Sequence, residues 1–159
     1  MKFSFLVIGK IKESWMRAGI GEYEKRLKPM VKMETIEHEE EKMPENPSPA
    51  IKEKMMEKEG DKLLKSVADS DCVVLLDTEG TPFSSEELAG WLQDKMVQGT
   101  SHFYFMIGGP YGNGTNIKKR ADLKVSIGAM TFTHQMARLV LFEQLYRAMK
   151  INRHEPYHL

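Results

Sequence analysis

The fold is decided by Phe103 to Gly114, FYFMIGGPYGNG, and by the run that answers it, Ser126 to Arg147, SIGAMTFTHQMARLVLFEQLYR. Phe103 to Ile107 is an unbroken apolar run of aromatic and β-branched type, which suits a strand covered on both faces. It stops at Gly108-Gly109-Pro110. Glycines there let the backbone take positive φ and let another group approach the main chain closely. Gly112 and Gly114 prolong the irregular stretch, and Asn116 is placed to cap a short basic turn over Ile117 to Arg120. Loops at the carboxyl ends of strands are where α/β sheets hold ligands. The second stretch predicts a short strand at Val125 to Ile127, a tight turn through Gly128, and a helix capped by Thr133.

Working outward, Phe3 to Ile8 predicts a buried strand ending at Gly9. Trp15, Met16, Ile20, Tyr23 and Leu27 recur at helical spacing and predict one buried helix face, stopped by Pro29. Val31 to Ile36 predicts a strand with Val31, Met33 and Thr35 inward. Glu37 to Pro49, acidic and proline-rich, predicts a mobile loop. Ala50 to Val67 predicts a charged helix with Ile51, Met55, Leu63 and Val67 buried and Gly60 weakening its centre. Cys72 to Leu76 predicts a third buried strand, ending at the turn-rich Asp77 to Pro82. Ser84 and Glu87 form a capping box for the next helix, which Gly99 ends. Strands alternate with helices throughout, so the fold class is α/β: a mainly parallel sheet covered by helices, in one domain over 1–159. In such a sheet the loops after Leu76, Ile107 and Ile127 can converge on one ligand.

The chain has 159 residues, with 41% hydrophobic and 29% charged residues and a formal net charge of zero. That balance excludes a coat of positive charge for indiscriminate nucleic-acid binding. The single cysteine, Cys72, excludes an internal disulfide and fits a reducing compartment. The apolar start is too short for a signal-peptide core, and no run approaches a membrane span, so a cytoplasmic protein is expected. The sequence contains no GxxxxGK[ST], no GxGxxG after the first strand, no CxxC, no HExxH and no GxSxG. A P-loop, a dinucleotide fold, a zinc site and a hydrolase elbow are therefore not expected, and no metal is expected at all. A pocket lined by main-chain groups remains, suited to a small neutral or cationic ligand.

The last helix spreads Met136, Leu139, Val140, Leu141, Phe142, Leu145, Tyr146 and Met149 over more than one face. This predicts burial on several sides and a second copy of the chain as cover. Glu143 and Arg147 are spaced for an i, i+4 ion pair. After Lys118 the charges are mostly basic: Lys118, Lys119, Arg120, Lys124, Arg138, Arg147, Lys150 and Arg153. With Phe132, Tyr146 and Tyr157 they suit phosphate contact and base stacking.

The chain resembles, end to end, the RlmH family of SPOUT methyltransferases, which methylate a pseudouridine of large-subunit (23S) ribosomal RNA. The matching stretches are VIGK (7–10), EYEKRL (22–27), IGGPYG (107–112), MTFTHQMARLVLFEQLYRA (130–148) and PYH (156–158). The resemblance implies a trefoil knot at the C-terminal end, a homodimer, and an S-adenosylmethionine site within the knot. Carried over by motif, the cofactor contacts fall on Leu76, Gly108, Ile127, Gly128, Ala129, Met130, Thr131 and Phe132. The family commonly has serine at the position of Gly128 and proline at that of Thr133.

For the reaction itself, methylation of pseudouridine N3, the tail supplies Tyr157 and His158 as catalytic candidates. Tyr157 can stack on or hydrogen-bond the base, and His158 can take a proton, its ordinary pKa being near 6.5. Arg138, Arg147 and Arg153 are the candidate contacts to ribosomal RNA, and His134 is a further candidate in the active site. The other readings are a non-catalytic RNA- or ribosome-binding module that keeps the fold, and a small-molecule enzyme using the same pocket. Retention of the glycine loop with the MTFTHQ turn favours the methyltransferase, since RNA binding alone needs no cofactor pocket.

Overall fold

The computed structural model describes residues 1–159. In chain order the elements are β1 (Lys2–Ile8), α1 (Ser14–Leu27), β2 (Lys32–His38), α2 (Pro49–Leu64), β3 (Cys72–Pro82), α3 (Ser85–Val97), β4 (His102–Ile107), α4 (Thr115–Arg120), β5 (Leu123–Ser126) and α5 (His134–Asn152). The strands form one five-stranded sheet in the order β2-β1-β4-β3-β5, and every pairing is parallel. The apolar runs of β1, β3 and β4 are explained by this arrangement, because both faces of the central strands are covered. On one face Phe3, Phe5, Val7, Cys72, Phe103 and Phe105 pack with residues of α1, α3 and α5. On the other, Leu6, Ile8, Val73, Leu75 and Met106 pack with Leu63 of α2 and Ile117 of α4. Burial pushes the Cys72 thiol up to about 11, as suits an inert core residue.

The caps follow the sequence closely. Ser84 accepts from the Glu87 N–H and Glu87 answers the Ser84 N–H, completing the capping box. Thr133 Oγ1 accepts from the Met136 N–H at 3.2 Å and starts α5. Asn116 lies inside α4, whose N-cap is Gly114, but its Oδ1 accepts from the Ile117 N–H at 2.9 Å and so satisfies a donor of the first turn. Its Nδ2 donates to the Glu57 carbonyl and to Asp61. That contact explains Gly60: a Cβ there would lie 2.2 Å from Asn116 Oδ1. Gly60 is the close-approach point of α2 and α4, beyond its effect on helix propensity.

Four expectations are corrected. Trp15 is 59% exposed, so the buried face of α1 is Met16, Ile20 and Leu27. Ile51 is exposed and α2 buries Glu59, Gly60 and Leu63; the helix ends at Leu64, before Val67. Of the acidic loop, Glu37 and His38 belong to β2, in register with Val7 and Ile8. Its next residues are tethered, Glu41 N–H to Glu59 at 2.9 Å and the Glu39 carbonyl to Lys62 at 2.8 Å.

The fourth concerns α5, whose Leu141, Phe142, Leu145 and Tyr146 are covered by their own chain. Phe142 stacks on Phe5 with centroids 4.1 Å apart, and α1 and α3 flank the helix. Met136, Leu139 and Val140 are only partly buried, so these three and not Leu141 or Phe142 are the apolar positions of α5 that a second chain could cover.

Candidate active site

β5 lies at the edge of the sheet beyond β3, whereas α5 begins beside β1. His134 fixes that point: a Cβ on Gly9, at the end of β1, would lie 2.8 Å from its Nε2. The chain from 127 to 133 therefore crosses the carboxyl ends of β3 and β4. Beneath this crossing opens a cleft of about 1060 Å³, walled by Leu76–Glu79, Ile107–Asn113 and much of 126–137. The three strand-end loops singled out from sequence do converge.

Gly108 is a close-approach glycine. A Cβ there would lie 2.2 Å from Asn113 Oδ1 and 2.9 Å from the Gly112 carbonyl. Its φ is not positive; that conformation belongs to Gly112 (φ 104°) and Gly128 (φ 141°). A Cβ on Gly128 would meet nothing within 4 Å, so only the backbone angle demands glycine there. The loop closes on itself through the Gly112 N–H to the Gly109 carbonyl, 3.1 Å. Asn113 then ties it to β3, its Nδ2 donating to the Leu76 carbonyl and to Asp77 Oδ2, both at 2.9 Å.

The cleft is acidic. Asp77 is buried in its floor, and its Oδ1 accepts from the Glu79 N–H. Glu13, Glu53 and Glu79 also line it, against Lys118. The hydrogen bond to Glu79, with the Asp77 charge behind it, holds Lys118 above the usual lysine range. Hydrogen bonds from the Thr115 hydroxyl and N–H hold Glu53 below the usual carboxylate range. A surplus of negative charge in a recess favours a cation. No group of three His, Cys, Asp or Glu side chains converges as a metal site would require.

Leu76, Gly108, Ile127, Gly128, Met130, Thr131 and Phe132 all line the cleft, as do His134 and Trp15. Ala129 lies on the crossing segment but is exposed and outside the lining. Asp77, Asn113 and Lys118 were not singled out as site residues from sequence. Asp77 follows a buried strand and Asn113 sits among the glycines, which were the available signals.

The tail lies elsewhere. Tyr157 packs edge-on against Tyr146 and donates to Glu143 Oε1 at 3.0 Å. Burial, then hydrogen bonding with Tyr23 and Glu143, pushes its hydroxyl far above the usual tyrosine range. His158 Nε2 lies 2.7 Å from Glu86 Oε1, and its Nδ1 lies 3.3 Å from Arg147 Nη1. Arg147 is about 20 Å along α5 from His134, at 1.5 Å per residue. A chain's own tail does not reach its own cleft.

The basic C-terminal third is largely neutralised within the chain. Arg138 is buried and paired with Glu37 at 2.8 Å, which removes it from the outer surface as an RNA contact. Arg147 is paired with Glu143 at 2.5 Å and Lys150 with Glu155 at 2.5 Å. Arg153 is the freest of the three candidate arginines, 3.7 Å from Glu155 and with its side chain 45% exposed. Counting charges by position overstated the basic face, because Glu37, Glu79, Glu143 and Glu155 fold onto it.

A five-stranded parallel α/β sheet with a cleft under a C-terminal crossing segment defines a SPOUT-type protein. Residues 1–158 match the family model described as predicted SPOUT methyltransferase, and the chain belongs to that family. It is similar to proteins named ribosomal RNA large subunit methyltransferase H. That of Halothermothrix orenii is 48% identical, and those of Carboxydothermus hydrogenoformans and Clostridioides difficile are 46% identical, each over 99% of both chains. Among solved structures, a tRNA (m1G37) methyltransferase from Aquifex aeolicus superposes with TM-score 0.56 at 14% identity, covering 100% of this chain and 75% of that one. A "Probable Methyltransferase" from Bordetella pertussis Tohama I does so with TM-score 0.58 at 14% identity, covering 92% and 95%. At that identity the likeness is one of fold.

Proposed function

We propose that this chain is a cytoplasmic, S-adenosylmethionine-dependent methyltransferase acting on N3 of a pseudouridine in large-subunit (23S) ribosomal RNA. The carrying observation is the convergence of Leu76, Gly108 and Ile127–Phe132 on one cleft. Gly108, on which Asn113 and the Gly112 carbonyl pack too closely for any Cβ, lets the loop close into a wall of main-chain groups along the cleft, which fits a ligand held by the backbone. The surplus of carboxylates fits a cationic sulfonium. When bound, the cofactor supplies an electrophilic methyl group. The full-length relatives named for the large ribosomal subunit support the substrate, and a ribosomal substrate requires the cytoplasm.

In this reading Gly108, Gly128 and Asn113 shape the cradle, and Asp77 sets its charge. The crossing of 127–133 over β3 and β4 supports a trefoil knot there. The imide nitrogen must lose a proton as it is methylated. Tyr157 stays protonated and serves as a donor or stacking surface. His158 is the proton acceptor, supplied by the partner chain of a homodimer because its own cleft is out of reach. Trp15, Tyr111, Met130 and Phe132 are exposed apolar or aromatic side chains on the cleft lining, and a second copy would cover them. Arg147 and Arg153 then flank the RNA.

Calorimetry with S-adenosylmethionine, followed by methylation of ribosomes with labelled cofactor and mass mapping of the product, tests the reading. Binding with a methyl group on pseudouridine N3 is expected. No cofactor binding would leave a ribosome-binding module that merely keeps the fold.

A further inference from the structure

A second, smaller cavity lies away from the cleft. It measures about 220 Å³ and is lined by Lys10, Arg17, Glu24, Glu37 and Arg138, with Ile20 among its apolar walls. Arg138 is 6% exposed. Its Nη1 donates to Glu37, but its Nε is buried and has no hydrogen-bond partner. An unmade hydrogen bond on a buried charged group is destabilising, and a ligand oxygen that completed it would relieve that cost. The Nε and Nη2 N–H groups form one edge of the guanidinium, spaced to grip two oxygens of a single planar or tetrahedral oxyanion once a small side-chain shift opens the Nε, closed to solvent here, to the cavity. Arg17 and Lys10 enter no ion pair; Arg17 Nη2 donates only to the Lys12 carbonyl, at 3.2 Å. With Arg138 and Glu37 cancelling, two free cations face the single carboxylate of Glu24.

We infer that this cavity is a phosphate-binding subsite in which the Nε edge of Arg138, Arg17 and Lys10 grip one phosphodiester of the RNA strand. The inference rests on the reading of the chain as an RNA methyltransferase. The position supports RNA as the source of the phosphate. Arg138 is one helical turn beyond His134, which lines the cleft. The Lys12 N–H, next to the subsite, reaches Gln135 on the same turn, at 3.4 Å. A strand that delivers a base to the cleft passes this cavity. Arg138 thus returns as an RNA contact through an inward-facing edge rather than through the outer surface. Water also fits a cavity of this size at ~30 Å³ per molecule, so the test must separate water from an anion.

The arginine Nε–H resonances of the full-length protein report this edge directly. On titration with inorganic phosphate, and separately with a dinucleoside monophosphate, the Arg138 Nε–H signal is expected to shift saturably. The shift is expected to vanish in Lys10→Ala/Arg17→Ala, whose exposed substitutions leave the core intact. A signal that neither ligand moves would leave water in the cavity and overturn the inference. In ribosome binding, the double variant should lower the slope of log affinity against log salt by about one, the signature of one lost phosphate contact. An unchanged slope, with wild-type methylation intact, would equally overturn it. Failure of the methyltransferase reading shows differently, as absent cofactor binding by calorimetry, which leaves the phosphate titration unaffected.

Discussion

His158 Nε2 stands 2.7 Å from Glu86 Oε1 on α3, at the far end of α5 from the cleft that His134 lines. The tail is thereby clamped between α3 and α5, with Tyr157 beneath it on Tyr146 and Glu143. A catalytic role for His158 requires the partner's cleft.

That requirement makes a complementation prediction. His158→Ala and Gly108→Val are each expected to lose methylation of ribosomes, one through its tail and one through its cradle. Mixed and re-equilibrated in equal amounts, they should recover about a quarter of wild-type turnover. Half of the dimers are then mixed, and each has one intact composite site. Absence of any recovery, with sedimentation showing mixed dimers, would rule out a shared site.

At the cradle, Gly108→Val should abolish cofactor binding while the fold survives, read by calorimetry and circular dichroism. Asn113 Oδ1 is the nearest atom to the intruding Cβ, but the Gly112 carbonyl, at 2.9 Å, cannot move aside. Gly108→Ala/Asn113→Ala should therefore remain impaired. Asn113→Ala alone removes two hydrogen bonds between the loop and β3. At about 1 kcal/mol each, it should weaken cofactor binding by up to about thirtyfold.

Charge in the cleft predicts discrimination between donor and product. Loss of the methyl group turns a sulfonium into a neutral thioether, so a carboxylate in the floor favours the donor. Asp77→Asn is expected to weaken S-adenosylmethionine about three- to tenfold more than the demethylated product, an electrostatic difference of about 1 kcal/mol. Equal weakening of both, measured by calorimetry, would show that Asp77 only shapes the loop.

Glu59 predicts a pH dependence of stability. Burial raises its carboxyl above the usual glutamate range, the Glu41 N–H opposing. The folded chain therefore holds a proton that the unfolded chain releases once pH exceeds about 4.3. The associated stability is present below that point and is lost as pH rises through the folded value. Glu59→Gln keeps an acceptor for the Glu41 N–H and carries no charge. Its urea midpoint should match wild type near pH 4 and exceed it at pH 7. Parallel curves across that range would exclude Glu59 as the source.

Local chemistry was legible from the sequence alone. The apolar runs at Phe3–Ile8, Cys72–Leu76 and Phe103–Ile107 state their own burial, since only a strand covered on both faces tolerates them. Ser84 with Glu87, Thr133, and Gly99 mark helix ends because capping is a contact among near neighbours in sequence. The glycines and turns after Leu76 and Ile107 mark the strand-end loops that wall the cleft, and the MTFTHQMARLVLFEQLYRA stretch carries the family. Tertiary structure alone decided what depends on partners distant in the chain. Arg138 and Arg147 read as a basic face in the sequence, but Glu37 and Glu143 neutralise them. Phe142 reads as an interface residue, but Phe5 stacks on it. Gly60 reads as a weak point of a helix, but it is where Asn116 packs against α2. Trp15, at a perfect helical spacing for the core, faces the cleft instead. Periodicity gives the face of a helix, whereas the neighbour on that face, and so the sign of its charge and the room for a side chain, is set by chain segments tens of residues away.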